Sequence, residues 1–138
     1  MRPFGILEHT ADVGFEAFGL TGAEAFANAG RALFSLIVDL DAILPHEEVA
    51  LTVRGTDPES VLVNWLSELL YLHDAEGWLF RDFEIRNLQD DSLDCAAQGE
   101  KFQRPRHQAK LLVKAITYHQ LAVDKTPEGW RVQVYVDI

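Results

Sequence analysis

Two helix starts interrupt an otherwise strand-like sequence, and together they fix most of what this chain can become. Thr21-Gly-Ala-Glu24 has the pattern in which a threonine oxygen accepts from an orphan amide and a glutamate reaches back. Asp57-Pro58 places an aspartate cap before a proline at the first helical position. After the first start, Phe26, Ala29, Leu33 and Ile37 recur at helical spacing, which predicts a helix to about Val38. After the second, Val61, Leu62, Trp65, Leu66, Leu69 and Leu72 make a wide apolar face that ends near Gly77, a good left-handed cap.

The remaining residues alternate with a period of two. Phe4 to His9, Gly14 to Gly19 and Val49 to Val53 predict strands, and Asp39 and Asp41 fall in a loop ending near Pro45. Leu79 to Leu88 and Leu93 to Gln98 flank a polar turn at Gln89-Asp90-Asp91. Further strands are expected over Lys110 to Thr117, Leu121 to Asp124 and Trp130 to Val136. Thr126-Pro-Glu-Gly129 is a turn between the last two. Short turns between consecutive strands favour antiparallel pairing. The expectation is a single α+β domain over residues 1–138, a mainly antiparallel sheet with two helices on one face.

A chain of 138 residues can bury a sizeable core. It contains no apolar run long enough to cross a membrane, and no apolar stretch behind a basic start that would read as a signal peptide. Cys95, the single cysteine, alternates with Leu93 and Ala97, which predicts a buried thiol in a strand and no internal disulfide. These features point to the cytoplasm. With 12 basic against 22 acidic residues the net charge is −10, which disfavours direct nucleic-acid binding and favours a protein or cation partner. Lys101-Phe-Gln-Arg-Pro-Arg-His107 is a local exception, read as a solvated loop around its proline.

No phosphate-binding loop, dinucleotide fingerprint, Cys-x-x-Cys pair or nucleophile elbow is present. The five histidines are not spaced for one helix face, so a zinc site of the usual kind is not signalled. Carboxylates are abundant, which suits a hard cation. The sequence closes on Asp137-Ile138 directly after an alternating strand. That places a side-chain carboxylate and the α-carboxylate of Ile138 one residue apart. Asp12, in His9-Thr-Ala-Asp-Val-Gly14, offers a third. The alternative is that the last strand only completes a sheet, with Asp137 solvated. Lys114 stands between Val113 and Ala115 and by alternation shares a face with Leu112 and Ile116. It either snorkels from an edge or pairs with a carboxylate, Asp12 or Asp137, if the first and last strands are neighbours. His73, Asp74 and Glu76 group at a helix end, as an acid–base set or as a polar terminus that suits the helix dipole.

Several segments together carry a family likeness: His9-Thr-Ala-Asp-Val-Gly14, Leu62-Val-Asn-Trp-Leu-Ser-Glu-Leu-Leu-Tyr-Leu-His73, Phe80-Arg-Asp-Phe83, Lys114-Ala-Ile-Thr-Tyr-His119 and Val134-Tyr-Val-Asp-Ile138. In that order, and over nearly the whole chain, the sequence resembles archease, the small protein that assists the RtcB-type tRNA-splicing RNA ligase. The resemblance implies a non-catalytic activator that promotes guanylylation of the ligase and permits multiple turnover. It implies a bound divalent cation, calcium foremost with Mg²⁺ or Mn²⁺ as alternatives, held by Asp12, Asp137 and the carboxylate of Ile138. It also implies that Asp12 and Lys114 matter for partner activation. Two other functions stand beside it: a chaperone-like role toward a tRNA methyltransferase, and a standalone metal-dependent phosphodiesterase.

Overall fold

The computed structural model describes residues 1–8 and 12–138, with Glu8 described by its backbone alone. Chain order is β1 (Phe4–Glu8), β2 (Asp12–Gly19), α1 (Gly22–Ile37), β3 (Glu47–Arg54), α2 (Pro58–Glu76), β4 (Trp78–Gln89), β5 (Ser92–Lys101), β6 (Ala115–Ile116), β7 (Ala122–Thr126) and β8 (Gly129–Asp137). The pairings between these strands are antiparallel. The expected single sheet is instead two. Strands β1, β2, β8 and β6 run in that order with β7 also on β8, while β3, β5 and β4 form a separate three-stranded sheet.

Both helices start where their sequences predict, α1 with the threonine half of its expected cap. Thr21 Oγ1 accepts from Glu24 N at 3.1 Å. Asp57 Oδ1 accepts from Ser60 N at 2.8 Å, and Ser60 Oγ accepts from Asp57 N at 3.2 Å, which closes a reciprocal cap. Gly77 ends α2 at φ 78°, a left-handed conformation that costs glycine no Cβ clash. At the β7–β8 hairpin Thr126 pairs Gly129, whose φ is 145°.

The predicted apolar stripes of both helices are buried. Helix α1 packs on β2 and β8 of the larger sheet and on β4 of the smaller one. Helix α2 also contacts strands of both sheets, so the two helices join them through a common core. Phe34 and Phe80 meet edge to face at 5.7 Å, and Trp65 and Phe83 at 5.4 Å. Such pairs contribute about 0.5–1.5 kcal/mol each beyond their buried area. Gly30, in the middle of α1, exists for this packing. A Cβ there would come within 2.8 Å of the Phe83 ring and 2.9 Å of Trp65.

The predicted strand over Lys110 to Thr117 is reduced to Ala115–Ile116. Its earlier residues bond a helix instead: Lys110 N donates to Ile37 O at 2.7 Å and Leu111 N to Leu36 O at 3.1 Å. The free carbonyls at the end of α1 take the amides that a sheet neighbour would have taken. His9, at the end of the first predicted strand, lies outside the described residues. Among the described residues no helix is long and apolar enough to cross a membrane.

Candidate functional site

Strands β2 and β8 pair over their full shared length, with Val13, Phe15 and Ala17 opposite Val136, Val134 and Val132. These residues turn toward the core. The pleat therefore sends Asp12, Gly14, Tyr135 and Asp137 to the other face of the sheet. In this register Asp12 stands directly opposite Asp137, and Gly14 directly opposite Tyr135. On the far side of β8, Ala115 also stands opposite Asp137. The central strand thus carries Asp137 between β2 and β6.

Lys114 joins the same place through its main chain, its N–H donating to Asp137 O at 2.8 Å. Its side chain is exposed, and no ion pair of its ammonium is found among the described residues. The expected apolar face shared by Leu112, Lys114 and Ile116 is corrected by the structure. Val113 is the residue buried there, while Leu112 is 70 % exposed. Ile116, opposite Val136, also packs on the core, so the expected alternation from Leu112 to Ile116 is broken. Ile138 follows Asp137 and is partly exposed. Of the motif around Asp12, His9, Thr10 and Ala11 lie outside the described residues.

Cross-strand neighbours have Cβ atoms about 4.5–5.5 Å apart, and like charges so placed destabilise a sheet. Oδ1 of Asp12 is also shut off from solvent. Two carboxylates held this way suit a hard divalent cation. Among the described residues no three His, Cys, Asp or Glu side chains converge on one point.

Tyr135 forms the floor beside the carboxylates. Its ring stacks edge to face on His119 at 5.7 Å. A Cβ on Gly14 would meet that ring at 2.7 Å, so only glycine lets it lie across β2. Thr117 N and Oγ1 both donate to Tyr135 O, at 3.1 and 2.9 Å, and Gln133 Nε2 donates to Gln120 O at 2.9 Å. The segment after β6 is thereby fastened over this face. Sequence reading passed over Gly14, Tyr135 and His119 as site residues. The signal was present as a glycine two residues after Asp12 and an aromatic two residues before Asp137.

A second polar group holds the segment that leads to Lys114. Glu100 is 2 % exposed. Its Oε2 and Oε1 accept from Arg106 Nη1 and Nη2 at 2.5 and 2.6 Å, and Leu44 N donates to Oε2 at 2.8 Å. The Arg106 guanidinium and the Leu44 amide hold this carboxyl down at about 2, against the opposing effect of burial. His107, 1 % exposed, accepts from Gln103 N at Nδ1, 2.8 Å away. Its proton therefore sits on Nε2, which donates to Glu100 Oε2 at 2.9 Å. The expected solvated loop is corrected here: Arg106 and His107 are anchors on a buried carboxylate. His73, at the end of α2, has Nδ1 3.0 Å from Trp78 O, a bond that ties the helix terminus to β4.

A family model described as the Archease protein family matches residues 4–138. The chain is 44% identical over 142 residues to a protein archease of Pyrococcus furiosus, with 100% of both chains covered. It is 39% identical over 141 residues to one of Methanosarcina barkeri, covering 99% of this chain and 97% of that protein. The solution structure of Methanobacterium thermoautotrophicum protein 1598 aligns with a TM-score of 0.86 at 32% identity over 100% of both chains. A Thermotoga maritima crystal structure, described as an archease and possible chaperone, aligns with a TM-score of 0.65 at 20% identity, covering 96% and 94% of the two chains; that likeness is one of fold.

Proposed function

This chain belongs to the archease family, and from that footing we propose that it is a non-catalytic, metal-binding protein cofactor of an RtcB-type tRNA-splicing RNA ligase. It promotes attachment of GMP to the ligase and lets the ligase turn over repeatedly. The observation that supports this most is the direct opposition of Asp12 and Asp137 on neighbouring strands, with Lys114 bonded to the same residue's carbonyl. Negative oxygens and a solvent-facing ammonium leave the molecule at one end of the larger sheet. That arrangement can be presented to a nucleotide site on another protein, where a single acidic side chain could not.

Asp12 and Asp137 would hold a divalent cation, Ca²⁺ or Mg²⁺, with the Ile138 carboxylate beside them. A cation there supplies positive charge that offsets phosphate oxygens. The protein's own part is positional. Gly14 leaves room for the Tyr135 ring across β2, and the main-chain bond from Lys114 to Asp137 holds the Lys114 backbone beside β8. Lys114 would meet a phosphate or a carboxylate of the assembled complex. The acidic balance of the chain suits docking on a basic, RNA-binding enzyme and would speed the encounter.

The test is a pre-steady-state assay of GMP transfer to the cognate ligase, with and without this protein. Stimulation by wild type and its loss in Asp12→Ala and Lys114→Ala, both folded by circular dichroism, is expected. Undiminished stimulation by both variants would remove the proposal.

A further inference from the structure

The charge of this chain is strongly uneven. From Lys101 to Val123 there is no aspartate or glutamate, yet Lys101, Arg104, Arg106, Lys110 and Lys114 all fall there. Outside that segment 7 lysines and arginines face all 22 acidic residues. An average over the whole chain hides this segment, and a charged ligand meets local potential, not the average.

The fold keeps most of these cations on the surface. Arg106 is consumed by the buried Glu100, and Lys101 lies over the Trp78 ring at 5.3 Å. Arg104, Lys110 and Lys114 are exposed, and none makes an ion pair with a described residue. Lys110 Nζ donates to Ser35 O at 2.7 Å, which fixes the amine without neutralising it. Two hollows lie along the segment, of about 380 and 310 Å³, and Gln108 lines both. Phe102, Pro105 and Arg104 border the first. Arg106, Lys110 and the carboxylate-bearing Asp39 border the second. Beyond them the chain reaches Lys114 at the candidate site, and four residues later Tyr118, 59 % exposed. Successive cations with an aromatic face at the end are what a single nucleic-acid strand requires: charge for the backbone and a ring on which a base stacks.

We propose that residues 101–118 form a track for single-stranded RNA, with Arg104, Lys110 and Lys114 on successive phosphates and Tyr118 stacked on a base. The choice of RNA among polyanions rests on the ligase reading above. The track would hold an RNA end beside the rim formed by Lys114 and Asp137. It revises the expectation drawn from net charge that no nucleic acid is bound directly.

The experiment is fluorescence anisotropy of a short fluorescein-labelled single-stranded RNA carrying a 3′-phosphate, titrated with the full chain over a range of NaCl concentrations. Three phosphate contacts predict that log K falls with log salt at a slope of about −2. The Arg104→Gln/Lys110→Gln double variant should bind roughly tenfold more weakly at low salt with a shallower slope, and Tyr118→Ala roughly fivefold more weakly or worse. No anisotropy change at low salt, or equal binding by wild type and both variants, overturns the track. So does RNA indifference combined with loss of ligase co-purification in the double variant, which would assign the cations to an acidic protein surface. Ligase guanylylation by wild type, run without RNA, is scored separately. RNA binding without guanylylation would leave the track and remove the ligase reading, and the reverse result would do the opposite.

Discussion

Asp12 and Asp137, 125 positions apart in sequence, face each other as cross-strand partners on β2 and β8. Strand alternation makes each of them outward-facing, and the register alone makes them neighbours. On the proposed reading, a divalent cation would take oxygen ligands from both.

If a cation binds there, it stabilises the folded state in proportion to its occupancy. At about a hundredfold over its dissociation constant the gain is about 2.7 kcal/mol. Thermal unfolding with Ca²⁺ and then with a chelator should show a higher midpoint with the ion. Asp137→Asn should lose most of that difference. A midpoint in wild type that ignores Ca²⁺ up to millimolar levels would refute the site.

Gly14→Ala should destabilise the protein by about 1–3 kcal/mol, the usual cost of forcing a methyl into filled space. The added Cβ would lie 2.7 Å from the Tyr135 ring. In Tyr135→Ala the same glycine substitution should cost much less. Urea unfolding of the four proteins in the cycle checks both statements.

Acid stability should depend on Glu100. Its folded carboxyl is lowered from the ordinary 4.5 to about 2, chiefly by Arg106. The sign follows from linkage: the stabilisation is fully present above the ordinary carboxyl value and is lost as pH falls toward about 2. Its size is on the order of 3 kcal/mol. Urea midpoints from pH 6 down to about pH 2 should fall more steeply in wild type than in Glu100→Gln. Parallel profiles would show that the Arg106 pair contributes nothing.

Cys95 should be chemically silent in the folded protein. It is 2 % exposed, and burial pushes its thiol up to about 12. Thiolate is the reactive form, so alkylation near pH 8 should proceed only as fast as the protein opens. Rapid labelling of native protein by a disulfide reagent would contradict the buried placement.

Much of the local structure was legible from residues alone. Thr21 and Asp57 announced both helices because capping is settled within one turn of chain. Thr126-Pro-Glu-Gly129 announced the last hairpin for the same reason. The strand over Lys110 to Thr117 was misread because its amides had two acceptors available, a sheet neighbour or the end of α1. Nothing local decides between them. Arg106 and His107 looked solvated because the carboxylate they surround, Glu100, is brought in by β5. Desolvation of that group is a property of packing, and a pattern of neighbours in sequence does not contain it.

By itself the sequence determined the two helices with their starts and the last hairpin turn. Periodicity and capping are short-range, so each was settled within a few residues. Tertiary structure decided that there are two sheets, that β2 lies beside β8, and that Asp12 meets Asp137 in that register. Strand order and register depend on which apolar faces bury together across the whole core. Only the folded chain resolves that competition.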